Sequence, residues 1–361
     1  MANEKIGWGI IGCGTIGPWH TQAATAAQGA ELKVVCDIVE EKAKKLGEEH
    51  GVPYVTSMDE LLARDDVQAV SVCTPSGMHS EHAIAVAEAG KHILCEKPLD
   101  VTLEKIDAMI EAAAANNVKL AGVFQRRTAP SSRRVREAVR TGKLGKLVLG
   151  DCYQKYYRSH EYYASGDWRA TWELDGGGAL MNQGVHGIDL LLWIMGDVVR
   201  VSAFCRRLVR NIQVEDTAVA MLEFANGALG VLEGTTSVTP GYGCNVEVHG
   251  DRGSIKLDGD TITAWEIEGE EPETAAAQDR GTASDPTALA STGHQRHIED
   301  LCGAIREDRE PEIPGREARK AVELIKAIYL SSREGGATIE LPLAYEDDAP
   351  GIYPSQVLPV W

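Results

Sequence analysis

The chain has eight cysteines in 361 residues, yet none stands in a C-x-x-C pair or beside a histidine cluster. That scarcity of pattern excludes a thiolate zinc knuckle and a disulfide framework, and reads as reduced thiols; no metal site is expected. Long apolar runs are missing too. No stretch approaches the roughly 18 uninterrupted apolar residues of a membrane span. Basic residues are few, 36 Lys and Arg against 54 Asp and Glu, for a net charge of −18. A field of that sign opposes nucleic acid and anionic membrane as partners, so an anionic ligand would need a local cluster of donors. The opening MANEKIGWGIIGCG lacks a basic n-region, an apolar h-region and a small-residue cleavage site. No export signal is read from it, and a cytoplasmic location is expected.

What is present suits two domains, because 361 residues with a 43% hydrophobic share exceed one ordinary core. Over the first 125 residues, strand-like KIGWGIIG, ELKVVCD, VQAVSVCT, HILCEKP and VKLAGVF alternate with helix-like PWHTQAATAAQ, EEKAKKLGEEHG, MDELLA, SEHAIAVAEAG and TLEKIDAMIEAAAANN. Strand and helix in short alternation predict a parallel sheet covered on both faces. From residue 126 a linking helix, SSRRVREAVRTG, leads into longer alternating strands joined by Asn-Gly and Asp-Gly turns, as in an antiparallel sheet. The acidic stretch EGEEPETAAAQDRGTASDPTALASTG reads as an exposed loop, followed by a helical hairpin. The expected domains are therefore 1–125 and 126–361, with the C-terminal helices able to pack back on the first.

GWGIIGCGTIGPWH contains G-x-G-x-x-G as Gly12, Gly14 and Gly17, between an apolar strand and a helix with Pro18 in its first turn. Gly12 permits a tight turn, Gly14 lets backbone approach a diphosphate, and Gly17 lets helix and strand pack closely; Thr15 and Ile16 complete the loop. The diphosphate would lie at the helix N-terminus, where unpaired N–H groups and the dipole favour negative charge. Asp37 ends the second strand, where an acid accepts the ribose hydroxyls of an adenosine. Ile38 and Val39 supply no arginine for a 2′-phosphate, which favours NAD; Lys42 and Lys44 leave NADP open.

The stretch DGGGALMNQGVHGIDLLLWIMG, residues 175–196, sets an amide and an imidazole into an apolar helix. If 179–195 form one helix, Asn182, His186, Asp189 and Trp193 share one stripe at spacings of four, three and four. A satisfied polar network inside a core and a catalytic face explain that stripe equally well from the residues alone.

VSVCTPSGMHSEHA, HILCEKPLD and the glycine loop together resemble the Gfo/Idh/MocA family of glucose-fructose oxidoreductases, inositol dehydrogenases and related sugar dehydrogenases. The likeness extends through GGGALMNQGVHGIDLLLW to GREARKAVELIKAIY. It implies an α/β fold: an N-terminal Rossmann domain, then an α/β domain with an open, mostly antiparallel sheet that often mediates oligomers, here a homodimer or homotetramer. By position it implies that Thr74, Pro75 and His79 line the cofactor, that Glu96 contacts the nicotinamide ribose, and that Lys97 is the active-site lysine. Gln125 and Arg126 would stand at the nicotinamide end, and Trp168 and Arg169 resemble a W-R pair reaching the cofactor from the second domain. The resemblance also makes His186 the catalytic histidine, with the preceding glycines letting backbone pass close to cofactor and substrate.

The implied chemistry is oxidation of a secondary ring alcohol of a sugar, polyol or nucleotide-linked sugar. His186 would act as general base and Lys97 as alkoxide stabiliser and relay, or with those roles exchanged. Asn182 departs from the aspartate of many family members; it makes the pocket more cationic and points to an anionic or nucleotide-linked sugar, or to a lysine of lower pKa. Tyr156, Tyr157, Arg158, His160 and Tyr242 are further candidates for meeting sugar hydroxyls, whereas His294 and His297 read as structural or exposed. Two other functions share these residues: a redox-assisted glycosidase that retains NAD, and a non-catalytic dinucleotide sensor.

Overall fold

The computed structural model describes residues 4–275 and 292–345. Most of the segment expected as an acidic loop, 276–291, lies outside the described residues. The chain divides into two units, Met1–Gln125 with Ala290–Arg319, and Arg126–Leu289 with Lys320–Trp361.

In the first unit, β1 (Ile6–Ile11), β2 (Ala30–Cys36), β3 (Tyr54–Val55), β4 (Ala69–Val72), β5 (His92–Cys95) and β6 (Leu120–Gly122) form a sheet of order β3-β2-β1-β4-β5-β6. All five pairings are parallel. Every strand and helix expected over these residues is present; the two-residue β3 was not foreseen, being too short to show a period. The order reverses at β1, which places a crevice at the C-terminal ends of the strands.

Residues 290–319 lie past the expected boundary at 125 yet fall in the first unit, the packing-back that the sequence reading left open for the C-terminal helices. The reason is an apolar stripe. The helix Thr292–Glu307 buries Ile298, Leu301, Cys302 and Ala304 in one core with Trp8, Ile10, Ala23, Ala24 and Val35.

The second unit is built on nine strands: β7 (Leu147–Lys155), β8 (Val198–Arg206), β9 (Thr217–Phe224), β10 (Leu229–Thr235), β11 (Gly243–Gly250), β12 (Gly253–Asp258), β13 (Thr261–Ile267), β14 (Glu273–Thr274) and β15 (Ile339–Glu340). Their order is β14-β13-β12-β11-β7-β10-β9-β8-β15, antiparallel except where β10 pairs with β7. Asn226-Gly227 and Asp258-Gly259 make the hairpin turns, each glycine at positive φ (86° and 59°). The helix Val185–Met195 covers one face. On the other face alternation leaves Phe204, Val219, Met221 and Leu229 exposed. Among the described residues no helix is long and apolar enough to cross a membrane, and all eight cysteines are free and buried.

Candidate active site

The glycine loop has the geometry that a diphosphate requires. Gly12 sits at φ 96°, and a Cβ there would stand 2.6 Å from the Cys73 carbonyl oxygen. A Cβ on Gly17 would collide with the Gly12 carbonyl, whereas Gly14 has nothing within 4 Å and leaves its backbone open to a ligand. The helix Gly17–Ala26 begins at Ile16 without a side-chain cap, so its first N–H groups are left for an anion. Asp37 is held at the end of β2 by the N–H groups of Cys13 and Val39, both at 2.8 Å. Next to it Ile38 is apolar and 89% exposed, which offers nothing to a 2′-phosphate. The residues present therefore fit a dinucleotide with free ribose hydroxyls.

At the C-terminal ends of β4 and β5 the remaining first-unit candidates come together. His79 is buried, its Nδ1 2.8 Å from the Pro98 carbonyl and its Nε2 2.8 Å from the Thr74 carbonyl. It thus lies between the Thr74-Pro75 turn and the E-K-P turn; burial lowers its pKa, and the neutral ring, with one N–H, donates to one of the two carbonyls. Asp100 accepts from the Ser80 and Val101 N–H groups. Lys97, half-buried, precedes a cis proline, and its N–H donates to Glu96 Oε2 at 3.0 Å.

Glu96 itself is buried. Its Oε1 lies 2.8 Å from His20 Nε2 and 3.2 Å from His294 Nε2. Gln125 faces the same His294 nitrogen at 2.7 Å. Neither imidazole was singled out from sequence for this site. His20 recurs three residues after Gly17, a spacing that turns it toward the sheet, and His294 is remote in the chain. The donor atoms of His20, Glu96 and His294 lie within 4.8 Å of one another, a set of metal-ligating type. However, 2.8 Å is a hydrogen-bond distance, and ligands each about 2.1 Å from a tetrahedral ion stand farther apart.

In the second unit the expected single helix over 179–195 is two segments, a π-helical turn Ala179–Gly184 followed by the α-helix Val185–Met195. The wider turn removes Asn182 from the 3.6-residue phase of His186, so the four-residue stripe does not exist as one face. Two of its members are structural. Asp189 receives Arg127 bidentately at 2.5 and 2.7 Å, with both side chains buried. Trp193 carries the guanidinium groups of Arg127 and Arg136 over its ring at 5.5 and 4.4 Å.

Asn182 does other work. Its amide donates to Asp175 and its carbonyl accepts from Gln183. Gln183 also donates to the Tyr162 hydroxyl at 2.8 Å and accepts from Arg158 Nε at 3.0 Å. Arg169 donates to the same Tyr162 hydroxyl at 2.8 Å and lies over the Trp168 ring at 4.5 Å. The π-turn thus gathers Asn182, Arg158, Trp168 and Arg169 from the expected set through Asp175, Gln183 and Tyr162, which sequence reading missed. Asp175 also corrects the idea that Asn182 strips the pocket of negative charge: the carboxylate stands one hydrogen bond away. Tyr156 is buried beneath Arg158, and burial raises its pKa, so it supplies a ring face. Tyr242 is exposed just before β11.

Two of the three glycines also answer to close contacts within the second unit. A Cβ on Gly177 would collide with the Tyr329 hydroxyl, and one on Gly178 with the Glu215 carbonyl. Glu215, fully buried, accepts from the Gly178 and Leu180 N–H groups at 3.0 and 2.8 Å and from Tyr329 at 3.0 Å. The glycines let backbone close on this carboxylate. Farther on, Gly187 has no side chain because a Cβ would meet Gln154 Oε1 at 2.5 Å and Cys244 Sγ at 2.7 Å. The helix beginning at Val185 therefore lies close on β7 and β11, which fixes the backbone on either side of His186.

Comparison with known proteins agrees with this geometry. Residues 6–124 match the family model "Oxidoreductase family, NAD-binding Rossmann fold", and residues 132–256 match the "GFO/IDH/MocA C-terminal domain". The chain is 32% identical to myo-inositol 2-dehydrogenase of Thermotoga maritima over 69% of its own length and 74% of that protein's. It is also 32% identical to an uncharacterized oxidoreductase, YrbE, of Bacillus subtilis, over 73% and 77% of the two chains. Among solved structures, the WlbA dehydrogenase of Bordetella pertussis, in complex with NADH and UDP-GlcNAcA, is 33% identical with a TM-score of 0.84, covering 94% of this chain and 100% of that one. By its family matches and its relatives alike, this chain belongs to the Gfo/Idh/MocA family of oxidoreductases, and its first unit is an NAD-binding Rossmann fold.

Proposed function

We propose that this protein oxidises a secondary alcohol of a sugar-type substrate, with Lys97 and His186 managing the hydroxyl proton. The observation that carries the reading is the E-K-P turn: a half-buried lysine pinned through its backbone N–H to a buried carboxylate, at the C-terminal end of β5. NAD, when bound, supplies the hydride acceptor. The reading requires Lys97 of the first unit and His186 of the second to meet at the substrate hydroxyl. His186 then takes the proton, and the Lys97 ammonium stabilises the alkoxide as charge develops.

Substrate class follows from the second unit. Arg158, buried and with its pKa lowered by burial, and Arg169 converge on Tyr162 and Gln183 beside Asn182. Two guanidinium groups in a strongly acidic chain are the local donors that an anionic sugar derivative needs. The relatives act on inositol or were crystallised with a nucleotide-linked sugar acid. The test is a panel of free polyols, uronic acids and nucleotide-linked sugars, followed by NADH absorbance with NAD or NADP. Preference for the acidic sugars and for NAD is expected. Reaction with neutral polyols alone would remove the anionic assignment, and no reduction with any alcohol would remove the dehydrogenase reading.

The exposed Phe204, Val219, Met221 and Leu229 on the open sheet face support association with a second copy, since contiguous apolar patches mark interfaces. Met221→Glu with Val219→Lys should yield monomer in light scattering. An unchanged particle mass would place the contact elsewhere.

A further inference from the structure

Glu96 ends a chain of hydrogen bonds whose direction is fixed by its carboxylate, which only accepts. Trp8 Nε1 only donates, and it meets Ser71 Oγ at 2.9 Å. Glu96 Oε1 therefore takes the N–H of the neutral His20 ring from Nε2, 2.8 Å away, and Nδ1 is left to accept from the Ser71 hydroxyl at 3.0 Å. His294 Nε2 donates to that same oxygen, and the Gln125 side-chain amide lies 2.7 Å from the same nitrogen. Oε2 accepts the Lys97 N–H. One carboxylate thus receives three N–H groups, two of them from imidazoles, while 4% exposed. Burial alone would raise its pKa, but the His20 and His294 hydrogen bonds hold it well below the usual carboxylate range. Burial likewise lowers His20, consistent with a neutral ring.

The place of this charge follows from the sheet order. Asp37 ends β2 and marks the adenosine half of the crevice, so the other half of a dinucleotide runs over the ends of β4 and β5. Glu96 is the first residue after β5. An oxidised nicotinamide ring carries a positive charge that the reduced ring lacks.

We propose that His20 and His294 are positioning residues that lock Glu96 as a fixed negative charge beneath the nicotinamide half of the site, and that this charge sets the preference for oxidised over reduced cofactor. The inference rests on the NAD-binding fold established above. It deepens the role of the E-K-P turn, in which Glu96 both holds Lys97 and biases the redox state of what binds above it.

The test measures Kd for NAD, NADH and ADP-ribose by calorimetry on the full chain, without substrate. In Glu96→Gln the ratio of NADH to NAD Kd should fall about tenfold, the size of one partly screened charge–charge interaction, while ADP-ribose binding stays within about twofold. An unchanged ratio overturns the proposal, as does an equal loss for ADP-ribose. Wild-type protein that binds none of the three overturns the cofactor reading itself. If Glu96→Gln does not fold, His294→Leu and His294→Gln decide the matter. Leu should lower the ratio and Gln, which keeps a donor, should restore it; equal ratios in the two overturn the idea.

Discussion

The two units each hold a polar cluster in apolar surroundings, and they differ in closure. In the first, His20 and His294 both face one oxygen of Glu96 in full burial. In the second, Asn182, Gln183 and His186 stand half-buried on and just after a π-turn, with Arg158, Tyr162 and Arg169 around the turn. A closed cluster fixes geometry and charge; a half-open one presents groups to a ligand. The comparison teaches that the same polar residue types serve as a fixed support when closed off and as ligand-facing groups when left half-open.

The sharpest way to break it is at the presenting residues. Lys97→Met or His186→Ala should cut turnover by about 10²–10⁴-fold while NAD still binds, measured by steady-state kinetics and calorimetry. Near wild-type turnover in both variants would sink the assignment.

Next come the anchors of the second unit. Arg127→Met strands the buried Asp189 carboxylate and should lower stability by about 3–5 kcal/mol in urea denaturation. Adding Asp189→Leu should recover most of that loss. A double variant as unstable as the single one would mean that the pair is not acting as a unit.

Glu215 sharpens the contrast through pH. Burial pushes its carboxyl up to about 7, despite the N–H and Tyr329 bonds that favour the anion. The folded state therefore holds a proton that the unfolded chain releases near pH 4.5. Stability from this group is lost as pH rises from about 4.5 to 7, by about 3 kcal/mol. Glu215→Gln should flatten that part of the melting-temperature profile relative to wild type; parallel profiles would place the carboxyl's pKa elsewhere.

The smallest effect concerns Asn182. Asn182→Asp puts a second carboxylate beside Asp175 and should shift substrate preference about tenfold toward neutral polyols, read as the ratio of kcat/KM values. An unaltered ratio would mean that Asn182 does not face the discriminating part of the substrate.

Legibility in the sequence followed the range of the interaction. The Rossmann strands and helices, the close packing of Gly17 on Gly12, and the turns at Gly227 and Gly259 were all readable, because each is set by neighbours a few residues away. The stripe from Asn182 to Trp193 was misjudged as one face, since nothing local announces a π-turn whose backbone is held by Glu215, more than thirty residues on. The same distance hid the closure of Gly177 on Tyr329 and of Gly178 on Glu215, and the π-turn itself, rather than distance, brought Asp175 onto Asn182 seven residues on.

By itself the sequence determined the secondary structure, the dinucleotide loop and the types of residue available for proton transfer, because hydrophobic period and turn chemistry are local properties. Tertiary structure alone decided which buried polar groups became partners. Whether Glu96 met two histidines and Asp189 an arginine depended on chain segments brought together only by packing, where an unpaired polar group costs too much to leave.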